Sequence, residues 1–257
     1  MIPRLALAAL FALLAAPSVA LDCRRESFEG RSFSLCRVSP SEGELRLFLD
    51  DAEGQPYGSF EAVQEAHPDR RLAFAMNAGM YHPDRSPVGH YVEEGEEVMR
   101  LLTNASPGNF GLLPNGVLCL NDDSARVIET LRFADESPAC RYATQSGPML
   151  VIDGELHPRF LESSTSRFVR NGVGTTPEGD EATFVISDEP VTFWEFGRFF
   201  RDFLGLDQAL FFDGNVSRLH APDFGRSDMG RSMGPIVGLL VPPIVDGGEV
   251  DPAGAGG

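Results

Sequence analysis

Short apolar runs, punctuated by glycine, proline and small polar clusters, set the pattern of the chain. Between residues 31 and 50, SFSLCRV and ELRLFLD flank the turn-forming SPSEG, which predicts a hairpin. SFEAVQEAH (59–67) repeats Phe60, Val63 and Ala66 at helical spacing and predicts a short helix. The run 72–76 is apolar and stops at Asn77-Ala78-Gly79, where polar groups beyond a buried strand are placed to line a crevice; a strand resumes over 90–93. FGLLPNGVLCL (110–120) predicts a second hairpin through Pro114-Asn115-Gly116, followed by a strand over 126–133. Residues 183–186 read as a strand and 191–204 as the clearest helix, with a Thr192/Glu195 capping box, an apolar face of Phe193, Phe196, Phe200 and Phe203, and Gly205 as its stop. An apolar strand over 209–212 ends on Asp213-Gly214-Asn215, and 235–241 reads as the last core strand. Strands outnumber helices and do not alternate with them. The pattern predicts an α+β single domain with a mixed, mostly antiparallel sheet core, hairpins and a few covering helices.

One stretch breaks this economy. Residues 144–174 crowd Gln145, Ser146, Asp153, His157, Arg159, Arg167, Arg170 and Asn171 around a short apolar strand, a polar density that a connector does not need. Opposed to that reading, an Asp-Gly pair is an ordinary turn and arginines in an acidic chain form surface ion pairs.

Charge and composition narrow the chemistry. The formal charge is −17, which disfavours nucleic acid and anionic membranes as partners. All 21 basic residues are arginine, so a Schiff-base lysine, a Walker lysine and a Ser-Lys dyad are excluded. Ser146 is followed directly by Gly147-Pro148 and lies in no G-x-S-x-G elbow. Guanidinium suits phosphate because it donates two parallel hydrogen bonds and keeps its charge, and a carboxylate such as Asp213 moves protons; together they suit hydrolysis at a glycosidic or phosphodiester bond.

Arg4, the apolar run after it and the small residues Ser18 and Ala20 predict a signal peptide over 1–20, a domain over 21–241 and a disordered Gly/Pro/acidic tail over 242–257. No later stretch approaches the roughly 20 apolar residues of a membrane span. A periplasmic or secreted location follows, in which four cysteines form disulfides; of the three possible pairings, Cys23 with Cys36 and Cys119 with Cys140 is the most local. There is no C-x-x-C pair, and no metal or other cofactor is expected.

The chain resembles the phosphodiester glycosidase family through FAMNAGMYHPDRSPVGHYVEEGE, TQSGPMLVIDGELHPRF, STSRFVRNGVG, ISDEPVTFWEFGRFFRDFLG and ALFFDGNVSRLHAP, in the family's order. The resemblance implies an exported hydrolase acting on a sugar joined through phosphate. The family's motifs fall on Asn77, Gly79, Ser146, Gly147, Arg167, Asp213 and Gly214; on that basis we expect catalysis from Asp213, Asn77 and Arg167, and substrate contacts from Gly79, Gln145, Ser146, Gly147, Arg170, Asn171, Gly214 and Arg218. Asp213 is the expected acid/base or nucleophile, and Arg167 with Arg170 the phosphate clamp. Ala78 stands in place of a usual second glycine, and Arg218 in place of a small residue. Two rivals remain: a sugar-binding or envelope-assembly module without turnover, and a metal-assisted phosphodiesterase using Asp213, Asp153 and the histidines 82, 90, 157 and 220.

Overall fold

Three sheets meet on one core in the computed structural model, which describes residues 21–243. The predicted signal peptide and nearly all of the predicted tail lie outside the described residues.

The seven-stranded sheet runs in the order Leu21–Phe28, Arg31–Val38, Ala182–Ser187, Asn171–Thr175, Gln208–Asp213, Met149–Ile152 and Glu155–Leu156. A five-stranded sheet follows the order Arg226–Ser227, Leu219–Ala221, Arg71–Asn77, Ile236–Val241 and Glu44–Phe48. The third sheet runs Glu96–Met99, Tyr91–Glu93, Tyr142–Ser146, Gly116–Asn121 and Ser124–Glu129. Among the described residues every strand pairing is antiparallel, the limiting case of the mostly antiparallel core expected from the sequence.

The main core draws Phe184 and Phe212 from the first sheet, Phe74 and Leu239 from the second, and Leu118 and Tyr142 from the third. A second cluster lies on the other face of the seven-stranded sheet, where Phe33, Leu150 and Phe211 pack under Phe196, Phe199 and Phe200. Because strand side chains alternate, Phe184 and Ile186 enter the main core while Val185 enters the second. Ala182–Ser187 is therefore buried at every position and reads as a continuous apolar run rather than an alternating one.

Two predicted hairpins are replaced by others. Arg31–Val38 and Glu44–Phe48 are both strands, but a 3-10 turn at Pro40–Glu42 sends them into different sheets, where each finds other partners. The hairpin forms instead between Leu21–Phe28 and Arg31–Val38, through Glu29 and Gly30, both at positive φ (49° and 76°). Likewise residues 110–115 make turns. Gly116–Asn121 pairs forward with Ser124–Glu129 across Asp122-Asp123, and the segment expected to continue as strand becomes the helix Thr130–Glu136.

The short helix is Phe60–Ala66, capped by the Ser59 hydroxyl. The phenylalanine-rich helix starts as read, with the Thr192/Glu195 capping box closed in both directions, but its α part ends at Arg198. It continues as a π-helix over Phe199–Phe203, which turns Phe199 inward beside Phe196 and Phe200 and leaves Phe203 40% exposed. Disulfides join Cys23 to Cys36 and Cys119 to Cys140, the most local pairing, and fit an oxidising compartment. Among the described residues no helix is long and apolar enough to cross a membrane.

Candidate active site

Three strand ends converge where the first two sheets meet. Arg71–Asn77 delivers Asn77, Asn171–Thr175 begins with Asn171, and Gln208–Asp213 ends with Asp213. The two amides face each other across the sheets and bond to one another. Asn171 Nδ2 donates to the Asn77 carbonyl (2.9 Å) and to Asn77 Oδ1 (3.0 Å), and Asn77 Nδ2 donates to Asn171 Oδ1 (3.2 Å). The remaining acceptor capacity is taken by backbone: the Asp213 N–H donates to Asn171 Oδ1 (3.2 Å) and the Arg218 N–H to Asn77 Oδ1 (2.9 Å). Both amides are fully buried. Their geometry fixes the two ends of the loop 213–218 rather than offering groups to a ligand.

Asp213 itself opens onto a cavity of about 650 Å³, a size suited to a small-molecule ligand. Its Oδ1 accepts from the backbone N–H groups of Gly214 (2.6 Å) and Asn215 (2.8 Å), and no side chain pairs with the carboxylate. Burial pushes its pKa up, and the backbone donors offset this only in part. Among the described residues it is the only carboxylate lining the cavity.

On one wall of the cavity lies Arg170, 1% exposed. Its guanidinium sits 3.7 Å over the Phe193 ring, with Phe168 and Phe211 at 5.4 and 5.5 Å. Nε donates to the Val191 carbonyl and Nη2 to that of Ser166, while buried Nη1 has no partner. Desolvation lowers its pKa to about 10, so the group stays charged at neutral pH. A Cβ built on Gly214 would lie 3.6 Å from that Nη1, which puts the free donor beside the Asp213 turn. Phe168, 49% exposed, flanks the opening. On the other side stand Tyr81, Arg85, Arg231 and Ser232.

The distribution of arginine is unequal. Among the described residues Arg85, Arg100, Arg126, Arg159, Arg170, Arg218 and Arg231 make no ion pair with a carboxylate, although acids outnumber bases 38 to 21. Three of them, Arg85, Arg170 and Arg231, line this cavity, and Arg218 donates to the backbone carbonyl of Arg231. The cavity is thus a positive site in an acidic molecule.

Other residues singled out by the sequence take different places. Arg167 forks onto Glu195 (2.7 and 2.9 Å), the acid of the helix capping box, and does not line the cavity, whereas Arg170 lines it and has no carboxylate partner among the described residues. Gln145 is bound on both ends, accepting from the N–H groups of His90 and Leu102 and donating to Leu102 and Thr130. Ser146 donates to the Phe212 carbonyl (3.0 Å) and so anchors the strand that carries Asp213. Gly147 lets the chain pass Asn115, whose Cβ would stand 2.5 Å from any side chain placed there. Gly79 packs against Thr144 in the same way, at 3.0 Å. Ala78 is buried with negative φ, its N–H bonded to the Pro235 carbonyl, so a side chain is accommodated where the pattern favours glycine. Asp153 is held by Arg132 and Gln208 away from the cavity, and no group of three His, Cys, Asp or Glu among the described residues is arranged to hold a metal ion. Sequence reasoning missed Phe168, Tyr81 and Arg85, which lie inside the motifs quoted above, and Arg231, which no motif marks.

A half-buried carboxylate and guanidiniums without a carboxylate partner thus line one cavity on an antiparallel α+β frame. The chain belongs to the phosphodiester glycosidase family, whose profile matches residues 70–221. Uncharacterized protein YigE of Escherichia coli K12 is 29% identical over 184 residues, covering 71% of this chain and 72% of YigE. The fold is shared with the zebrafish N-acetylglucosamine-1-phosphodiester alpha-N-acetylglucosaminidase catalytic domain, solved auto-inhibited by its pro-peptide (TM-score 0.61, 14% identity, 88% of this chain and 85% of that one). A hypothetical protein from Synechocystis also shares it (TM-score 0.56, 13% identity, 85% of this chain and 61% of that one).

Proposed function

We propose that the protein is an exported hydrolase that cleaves the sugar–phosphate bond of a glycosyl phosphodiester on an envelope or extracellular glycan. The observation that carries this reading is the pairing, in one cavity, of the lone carboxylate Asp213 with the buried, carboxylate-free Arg170. An ordinary glycosidase uses two carboxyl groups because its alkoxide leaving group must be protonated. A phosphate monoester, whose second pKa is about 6, leaves as an anion without that help. One carboxylate and one cation then suffice. Asp213, ionised, takes the proton of a water that attacks the anomeric carbon, or attacks that carbon itself to form a glycosyl ester that water then hydrolyses, freeing the sugar and the carboxylate. The bond from that carbon to the ester oxygen breaks, its electron pair departs with the phosphate, and Arg170 stabilises the charge that develops there. Phe168 offers an aromatic face at the opening for the sugar ring.

N-Acetylglucosamine 1-phosphodiesters, the class in the zebrafish enzyme's name, are the first substrates to assay. Wild-type protein is expected to release sugar from them and Asp213→Asn to release none while keeping its thermal transition. Turnover surviving in folded Asp213→Asn would remove Asp213 from catalysis; saturable binding with no released sugar by wild type would replace the enzyme with a binding module.

A further inference from the structure

The cavity holds more positive charge than one phosphodiester requires. Arg170 stands against Phe168, Phe193 and Phe211 on the wall beside Gly214. A second group gathers around Tyr81, whose hydroxyl has Asp213, Arg85, Arg218 and Arg231 as its charged neighbours. That group is built by direct contacts. Tyr81 donates to the Ser232 carbonyl (3.2 Å), Arg85 Nε donates to Ser232 Oγ (3.2 Å), and the Arg85 guanidinium lies 5.4 Å from the Tyr81 ring centre. The Arg218 guanidinium, itself buried, donates to the Arg231 carbonyl and so braces the loop that presents Arg231.

None of these three arginines is neutralised. Asp228, an electrostatic neighbour of Arg218, is bound by Arg226 and by the Leu219 N–H, and Asp84 accepts from Ser86. The Arg231 side chain makes no hydrogen bond among the described residues, and Arg85 uses only Nε, so both retain donors that face the cavity. Asp213 thus has a cationic group on either side of it, one single and buried, the other multiple and open.

We propose that Arg85 and Arg231, braced by Arg218, form a second anion site, and that the preferred substrate is a sugar phosphodiester carrying an additional oxyanion, as in a polyanionic sugar-phosphate chain, rather than a diester with a neutral substituent. This rests on the hydrolase reading for its reaction but not for its binding. The second anion accepts charge-assisted hydrogen bonds from the free guanidinium donors and holds the diester in register with Asp213.

The test uses three N-acetylglucosamine 1-phosphodiesters that differ only in the alcohol esterified: glycerol, glycerol phosphate and glycerate. Wild type is expected to prefer one or both anionic compounds over the glycerol diester by about tenfold or more in kcat/KM, a preference that shrinks as sodium chloride is raised. Comparison of the phosphate with the carboxylate identifies which oxyanion is taken. In Arg85→Gln/Arg231→Gln the ratio of anionic to neutral kcat/KM is expected to fall toward one. Equal turnover of all three diesters by wild type, or an unchanged ratio in the variant, would overturn the second site while leaving the hydrolase intact. If no diester is hydrolysed, the hydrolase reading fails, and calorimetric binding of the same compounds decides the site separately. Tighter binding of an anionic diester that is lost in the variant sustains it, and equal affinities overturn it. Arg231→Gln alone, which removes an exposed side chain with no partner, gives the same comparison should the double variant not fold.

Discussion

At the scale of single residues, the environments of Asp213 and of two nearby arginines separate their roles. Asp213 is half-buried, has no side-chain partner among the described residues, and has its pKa raised by desolvation. A nucleophile or base must be ionised, so activity is lost as pH falls through that raised pKa. The acid limb of kcat/KM is expected above the ordinary Asp value of about 4, and a limb at or below it would contradict the burial argument. Arg170 and Arg167 are three positions apart and carry the same charge, but one has a free buried donor and the other grips Glu195. Arg170→Met keeps the aliphatic packing against Phe193 and is expected to lower diester kcat/KM by about a hundredfold or more. Arg167→Gln is expected to leave kcat/KM within about twofold and to lower stability by less than about 1 kcal/mol, because its ion pair is partly exposed. Steady-state kinetics and denaturant titration of the pair check both statements; a catalytic collapse in Arg167→Gln would restore it as the clamp.

Among elements, the decisive event is the meeting of strand ends from two sheets. Asn77 and Asn171 are 94 residues apart in sequence, yet each amide completes the other's hydrogen bonds and then holds the loop that carries Asp213 and Arg218. Asn171→Ala would leave the Asn77 amide and the Asp213 N–H unsatisfied in a dry environment, at a cost of about 2–4 kcal/mol. It should also lower kcat more than it raises KM, since the loop loses its register while the cavity walls remain. A variant destabilised by that amount but with unchanged kcat would make the amide pair purely structural. Part of this is legible in the sequence, where polar residues close the apolar runs before 77 and 213; the crevice-lining place expected of Asn77 is not the one it takes, since it is fully buried and outside the cavity lining. Their division of labour is not legible there, because a hydrogen bond between residues 77 and 171 leaves no local trace in either segment.

For the molecule as a whole, burial creates a pH-dependent element remote from the cavity. Glu93 is mostly enclosed, accepts from the Tyr91 hydroxyl (3.0 Å), and has its pKa raised from 4.5 to about 6, chiefly by desolvation. An acid whose folded pKa is raised disfavours the folded state once ionised. The penalty is absent below pH 4.5, grows up to about 6 and is complete above it, where it amounts to about 2 kcal/mol. Glu93→Gln should therefore stabilise the protein at pH 7.5 and leave it unchanged at pH 4, as read by chemical denaturation at the two values. Stabilisation of equal size at both would place the effect elsewhere.

The local signals that the sequence carries are enough for the α+β class, the Thr192/Glu195 helix start and the family motifs, because capping boxes and apolar runs act within a few residues, whereas the sequence leaves three disulfide pairings open and the fold takes the most local. Strand partners were decided only by the tertiary structure: Arg31–Val38 and Glu44–Phe48 look like two arms of one hairpin but bury their faces in different sheets. The same holds for the arginines. Composition counts 21 of them, and only the folded chain determines which find a carboxylate and which are left to face a cavity, since an ion pair depends on distances between segments that the order of residues does not record.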